Sequence, residues 1–290
     1  AAVMSRMDKA VGDLVDGLRK RGVLDDTLIL FMSDNGGNAE AGAKGRTEGD
    51  PSKSGSQWFC GESWAYAQNT PFRLYKHFNH EGGVSTPLIA HWPAGIAAKN
   101  EFRRQPGHVI DVMATVVDVS GAVYPQEFNG KAIRPMEGRS LVPLLQNPAA
   151  KLPDRYQFTH FGRWPKLGDP NEAKFKVAAV RNTRWAMVSE NGGRTPNWQL
   201  FDLSVDYGQK NDVIAQHPAV VKELSAAFDQ WWSECLPLMV NEKAMGPAIN
   251  PFQEIYYRQF GGSPTPEALA KMDPKGALTF GVPKAGKKKQ

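Results

Sequence analysis

The sequence predicts an α/β layered fold with a largely parallel sheet, followed by a small α+β subdomain built on an antiparallel sheet. Three observations predict it. Two continuous apolar runs, "TLILFMS" (27–33) and "VSTPLIAHW" (84–92), have the composition of strands buried on both faces. Helical stripes flank them, at residues 2–21 and 107–120. From about residue 153, four short strand-like segments separated by turn signals lead into one amphipathic helix.

Each element has a local reason. In residues 2–21, Met4, Met7, Val11, Leu14, Val15 and Leu18 fall at helical spacing, and Gly22 stands where a helix stops. That helix opens without a capping residue, so it is expected to continue from a segment upstream. Residues 36–70 are rich in Gly, Ser and small polar groups without periodicity and read as a long loop. Pro87 places the second apolar run at an edge or irregular position. In the next helix Val109, Val112, Met113, Val116 and Val117 form the stripe, ended by Gly121. "RYQFTHF", "FKVAAVR", "RWAMVSE" and "WQLFDLS" are the strands of the subdomain. "HPAVVKELSAAFDQWWSEC" is its helix, with Val221, Leu224, Phe228, Trp231 and Trp232 on one face. Residues 237–290 are Pro- and Gly-rich, lose periodicity and end in a Lys-rich tail. The expected division is a core portion at 1–150, an α+β subdomain at 151–236 and an extension at 237–290.

Composition narrows the function. The 290 residues are 41% hydrophobic and 22% charged, enough for a substantial core, and carry a formal charge of +5. No basic stripe is interleaved with aromatics, so nucleic acid is not an expected partner. No apolar run reaches the roughly 18–20 residues of a membrane span. Cys60 and Cys235 form neither a disulfide framework nor a zinc spacing.

Two constellations carry chemistry. Asp34 and Asn35 end the first apolar run, where ligands of open α/β sheets sit. A carboxylate and an amide oxygen are hard donors suited to Ca²⁺ or Mg²⁺. Asp-Asn-Gly-Gly is also a good turn in its own right, and the residues alone leave both readings open. The second constellation is "TPFRLYKHFNHEGGVSTPLIAHWP". Lys76 can meet an anion as a point charge, or be a solvated loop lysine. His77 and His80, three residues apart, can ligate a metal or simply pack.

Taken together, the blocks resemble the formylglycine-dependent sulfatases, and most of all their bacterial arylsulfatase branch. The resemblance rests on Ser33-Asp34-Asn35-Gly36, then Lys76 to Glu81-Gly82-Gly83, then Pro87-Leu88-Ile89 and Trp92-Pro93. It continues through "HVIDVMATVVDVSGA", "GRSLVPLL" and "WQLFDLSVDYGQKNDV", and covers roughly residues 1–235. It implies an alkaline-phosphatase-like core and metal-assisted hydrolysis of a sulfate ester. Asp34 and Asn35 match the family's metal ligands, usually to Ca²⁺. Lys76 matches its sulfate-contacting lysine, and Glu81 to Gly83 match a wall of the site. Sulfated small molecules or sulfated polysaccharides are the implied substrates, and the periplasm or the outside the implied location.

The nucleophile departs from the pattern. Formylglycine is made in a Cys/Ser-x-Pro/Ala-x-Arg context, whereas Cys60 lies in "CGESW" and Cys235 in "CLPLM". The family's paired aspartates, further lysine, histidines and motif arginine have no match here either. The expected reading is the C-terminal portion of a sulfatase, inactive alone and completed by an N-terminal portion of the same fold. Two alternatives stay open: a non-catalytic binding or partner module, and a phosphate or phosphonate monoester hydrolase.

Overall fold

In the computed structural model, which describes residues 2–53, 55–97, 100–164, 168–239 and 251–261, helix α1 (Ala2–Lys20) stops where its sequence says it should. Gly22 takes φ +70°, its amide donates to the Arg19 carbonyl at 3.0 Å, and the Val23 amide donates to that of Leu18 at 3.2 Å. A left-handed residue at this place suits glycine, which has no Cβ to clash. The apolar stripe of α1 is uncovered, with Met4 68% and Leu14 57% exposed.

Strand β1 (Ile29–Met32) follows. The stretch 36–70 is more ordered than a bare loop. It holds a hairpin of β2 (Arg46–Glu48) and β3 (Gln57–Phe59), then helix α2 (Glu62–Gln68). The hairpin left no pattern in the sequence because Trp58 and Phe59, adjacent residues on opposite faces, are both exposed. A single turn, α3 (Glu81–Val84), leads to β4 (Leu88–His91). Strand β4 pairs with β1 antiparallel, Ile29 opposite His91 and Met32 opposite Leu88. This pair departs from the parallel direction expected of it. An antiparallel strand on an otherwise parallel sheet is common in large α/β folds. Nor is either strand buried on both faces, since Phe31 and Ile89 are exposed.

Helix α4 (Asp111–Ser120) ends at Gly121, φ +64°, as expected, but turns its other side inward. Val109, Met113 and Val116 are exposed, while Asp111, Ala114 and Thr115 are buried. The buried side is anchored by polar groups. Asp111 accepts two hydrogen bonds from the Arg155 guanidinium, one of them 2.8 Å, and one each from the His108 and Arg139 amides at 2.8 Å. Burial alone would raise this carboxyl; Arg155 and the two amides outweigh it and hold it below the usual range. Beyond a small hairpin of β5 (Glu127–Phe128) and β6 (Lys131–Ala132), helix α5 (Val142–Gln146) packs Leu144 and Leu145 with Leu141 into a minor core.

The four expected strands form an antiparallel meander, β7 (Gln157–His160), β8 (Ala178–Arg181), β9 (Trp185–Ser189) and β10 (Gln199–Asp202), in spatial order β10-β9-β8-β7. Helix α6 (Pro218–Cys235) lays Leu224, Phe228 and Trp232 on it, against Val180, Met187 and Leu200. Each such side chain contributes about 1.5–3 kcal/mol by leaving water. Helix α7 (Pro251–Phe260) lies in a stretch expected to lack periodicity, and its Phe252 is exposed. The Lys-rich tail lies outside the described residues.

Candidate active site

The turn after β1 is built by its own side chains. The Ser33 hydroxyl donates to the Asn35 carbonyl at 2.8 Å, and the Asn35 amide group donates to the Gly36 carbonyl at 2.9 Å. Thr86 fixes the entry by donating to the Ser33 carbonyl at 2.8 Å. Two backbone bonds then tie the turn to the second constellation. The Gly36 amide donates to the Gly83 carbonyl at 3.1 Å, and the Lys76 amide donates to that of Gly37 at 3.0 Å. A Cβ on Gly36 would lie 1.8 Å from the Gly82 carbonyl oxygen, so only glycine permits this approach. The Gly-Gly of one block and the Glu-Gly-Gly of the other are therefore halves of one contact.

Within that frame Asp34 is exposed, and its carboxylate accepts no hydrogen bond among the described residues. The Asn35 side-chain oxygen is likewise without a donor there, because only its nitrogen is engaged. Adjacent oxygen donors left free of hydrogen bonds suit a hard cation. Among the described residues no cluster of three or more His, Cys, Asp or Glu could hold a metal by itself.

Lys76 is not a solvated lysine. Its ammonium lies 3.0 Å from Glu40 Oε1, and His77 Nε2 reaches the same oxygen at 2.9 Å. Asn38 donates to the other carboxylate oxygen at 3.1 Å. The Lys76 contact, followed by those of Asn38 and His77, holds the Glu40 carboxyl below the usual carboxylate range. Backbone strain surrounds the lysine: Leu74 and His77 both take left-handed conformations, φ +64° and +82°. Such residues cost about 1–3 kcal/mol each and persist only where the surroundings enforce them.

The two histidines part company. His77 is half exposed beside Phe161, while His80 is buried with Nδ1 3.1 Å from Glu190 Oε1. They do not form a metal pair. Glu40, Arg181, Glu190 and Gln209 hold this region together and were not singled out by the sequence. Their side-chain contacts to Lys76, His80 and Glu81 span 36 to 128 positions, beyond any local motif.

Two family models match the chain. One, described as Sulfatase, matches residues 1–122; the other, N-sulphoglucosamine sulphohydrolase, C-terminal, matches residues 72–233. The chain belongs to the sulfatase family. An uncharacterized sulfatase of Schizosaccharomyces pombe is 27% identical over 242 residues, which is 77% of this chain and 41% of that protein. Mouse steryl-sulfatase is 29% identical over 243 residues, 78% of this chain and 35% of its own length. The N-acetylgalactosamine-6-O-sulfatase of Bacteroides thetaiotaomicron is 25% identical over 237 residues, 78% and 40% respectively. This chain thus spans about two-fifths of the curated sulfatases it matches. Among solved structures, Ps i-CgsB in complex with k-i-k-neocarrahexaose superposes with a TM-score of 0.54 at 24% identity, covering 87% of this chain and 45% of that one. The PsFucS1 sulfatase of Pseudoalteromonas does so at 0.51 and 18%, covering 80% and 42%. The fold is the alkaline-phosphatase-like α/β fold of sulfatases, with an antiparallel sheet in its C-terminal part.

Proposed function

We propose that this chain is the part of a sulfate-ester hydrolase that grips the sulfuryl group, with Asp34 and Asn35 as metal ligands and Lys76 as the sulfate contact. The observation that carries this reading is the pair of backbone bonds joining the Asp-Asn-Gly-Gly turn to residues 76 and 83. They tie the backbone just after the candidate ligands to the backbone of the candidate anion contact.

The donor set fits a cation in part. Ca²⁺ takes about six to eight oxygens, and Asp34 and Asn35 supply two or three. When bound, Ca²⁺ or Mg²⁺ would stabilise negative charge on the sulfuryl oxygens. The chain's own contribution is electrostatic. Lys76 meets a sulfuryl oxygen as a point charge once its ammonium leaves Glu40. The Gly36 and Gly83 backbones hold the two sides at fixed separation, which limits reorganisation during the reaction. The nucleophile is not among these steps. Neither cysteine sits in the formylglycine context, so in this reading an N-terminal portion of the same fold provides it. The uncovered stripes of α1 and α4 and the open face of β1 and β4 are apolar surfaces such a portion would bury. On this reading residues 1–150 belong to the core, 151–236 to the subdomain and 237–290 to an extension. The relatives' names span sterol and amino-sugar esters, which supports a sulfated small molecule or polysaccharide as substrate without choosing between them.

Two measurements test the proposal. By calorimetry, Ca²⁺ should bind the chain weakly, and Asp34→Ala should remove that binding; binding that Asp34→Ala leaves untouched overturns the ligand assignment. The purified chain should not hydrolyse an aryl sulfate. Turnover that scales with the chain and is lost in Lys76→Ala would place the nucleophile within these 290 residues and overturn its assignment to another portion.

A further inference from the structure

We infer that Arg181, Glu190 and Gln209, all carried by the antiparallel part of the chain, are positioning residues that set the Asp34–Asn35 turn and Lys76 in register. This inference rests on the reading of those three residues given above. Its physical basis is a run of charged and polar groups buried where the two parts of the chain meet. Asn79, His80 and Glu81 are 6%, 1% and 3% exposed. A carboxylate so buried is destabilising unless it is paired and hydrogen-bonded.

Glu81 has that pairing, and two of its partners, Arg181 and Gln209, lie 100 and 128 positions away. Arg181, at the end of β8, donates to both Glu81 carboxylate oxygens at 2.8 and 2.7 Å. The Ser85 hydroxyl donates to one of them at 2.6 Å. The Gln209 side-chain oxygen accepts from the Glu81 amide at 2.7 Å. One position earlier, Glu190 Oε1 accepts from the Asn79 amide at 2.7 Å and faces His80 Nδ1 at 3.1 Å. The N-terminal end of α3 is thereby clamped to the antiparallel part of the chain.

The clamp reaches the site through backbone rather than through flexible side chains. The Gly82 amide donates to the Arg73 carbonyl at 2.8 Å, and the Arg73 guanidinium donates to the Gln209 carbonyl at 2.9 Å. This closes a ring that encloses residues 74–81, where Leu74 and His77 are held in left-handed conformations on either side of Lys76. Gly83 accepts from Gly36, and the Gly82 carbonyl lies where a Cβ of Gly36 would be. A shift of α3 therefore moves the turn that carries Asp34 and Asn35. Arg181 Nε, His80 Nε2 and Gln209 Nε2 are buried without a partner among the described residues. A network optimised for stability alone would satisfy them.

The test compares two buried ion pairs of equal exposure. Arg181 and Glu81 have side chains 16% and 4% exposed; Arg155 and Asp111 have 16% and 1%. Arg181→Gln and Arg155→Gln are made in the full chain, and amide hydrogen exchange is followed at Gly36 and Lys76, with Phe228 as the reference for global opening. In Arg181→Gln, exchange at Gly36 and Lys76 should accelerate by about tenfold or more beyond any change at Phe228. In Arg155→Gln it should only follow Phe228. Arg181→Lys should recover part of the protection. If both Gln variants merely follow Phe228, Arg181 is structural and the inference is overturned. Should Arg181→Gln not fold, Glu190→Gln is read in the same way. Titration with inorganic sulfate separates the two claims. Loss of a sulfate response at Lys76 with Gly36 protection intact counts against the anion contact and leaves the clamp standing.

Discussion

Glu40 and Lys76 pose the first question of the site: a lysine assigned to an anion already holds a carboxylate at 3.0 Å. Opposite charges near a surface attract only weakly, because water and salt screen them. An arriving sulfate therefore has to displace a weak competitor. Glu40→Gln should raise the affinity of Lys76 for inorganic sulfate several-fold, read from the Lys76 side-chain signal in a titration. An unchanged or weaker response would mean that Glu40 positions the lysine instead of competing for it. The pH dependence has a definite sign. Lys76, Asn38 and His77 hold the Glu40 carboxyl below its ordinary value, so the contact is intact at neutral pH and is lost only as pH falls through that lowered value. Asp202 gives a second case. Hydrogen bonds from Arg184, and then from Ser204, lower it from 3.8 to about 2. A depressed carboxylate stabilises the fold fully above 3.8 and loses that contribution as pH falls toward 2. In urea titrations wild type should be more stable than Asp202→Asn at about pH 6, where the carboxylate is ionised, and the two should converge near pH 2. A constant difference across that window would assign the effect to packing.

Three helices with the same sequence pattern meet three fates. The stripes of α1 and α4 are largely exposed, while that of α6 is buried down to 1% at Leu224 and 0% at Phe228. Periodicity says which face of a helix is apolar, but not whether a partner is present to cover it. Leu224→Ala should cost about 2–5 kcal/mol in denaturant unfolding, because it leaves a cavity under α6. Leu14→Ala should cost less than about 0.5 kcal/mol in the same assay. A large loss at Leu14 would mean that its stripe is covered in solution. The contrast shows what the residues could reveal. Gly22 and Gly121 marked true helix ends, and the four strands of the meander stood out because their turns carry Asn, Gly and Pro. Asp34, Asn35 and Lys76 stand out in the sequence as motif residues, and backbone bonds tie the turn after Asn35 to Lys76 and Gly83. The hairpin at 46–59 was not legible, since a two-stranded ribbon exposed on both faces has no alternation to read. Nor were Arg181 and Gln209, whose partner Glu81 lies 100 and 128 positions away. The inward face of α4 was misjudged for a related reason: a buried Asp111 paired with Arg155 looks polar in sequence and therefore outward.

At the scale of the molecule, core is unevenly distributed. All but six of the buried hydrophobic side chains among the described residues lie between Ala173 and Trp232. Residues 1–122 contribute only Leu24, Ala65 and Ala114 to that set, although they carry exposed Met4, Leu14, Ile89, Val109 and Met113. Local opening costs little where few apolar contacts are lost, so the two regions should differ in protection far more than in secondary structure. Limited trypsin digestion should cut first at Lys44, Arg46 or Lys53, which flank or lie within the exposed hairpin. It should leave a resistant product containing the meander and α6. Exchange should rank the same way, with Val180, Met187 and Leu200 slowest and the amides of β1 and β4 faster. A partner that covers the apolar faces of α1, α4 and the β1–β4 pair should slow exchange there while leaving the meander nearly unchanged, because only the first region gains buried area. If β1 and β4 are already as protected in the isolated chain as β8 and β9, those faces are covered by something within the chain itself, and the case for a completing portion fails.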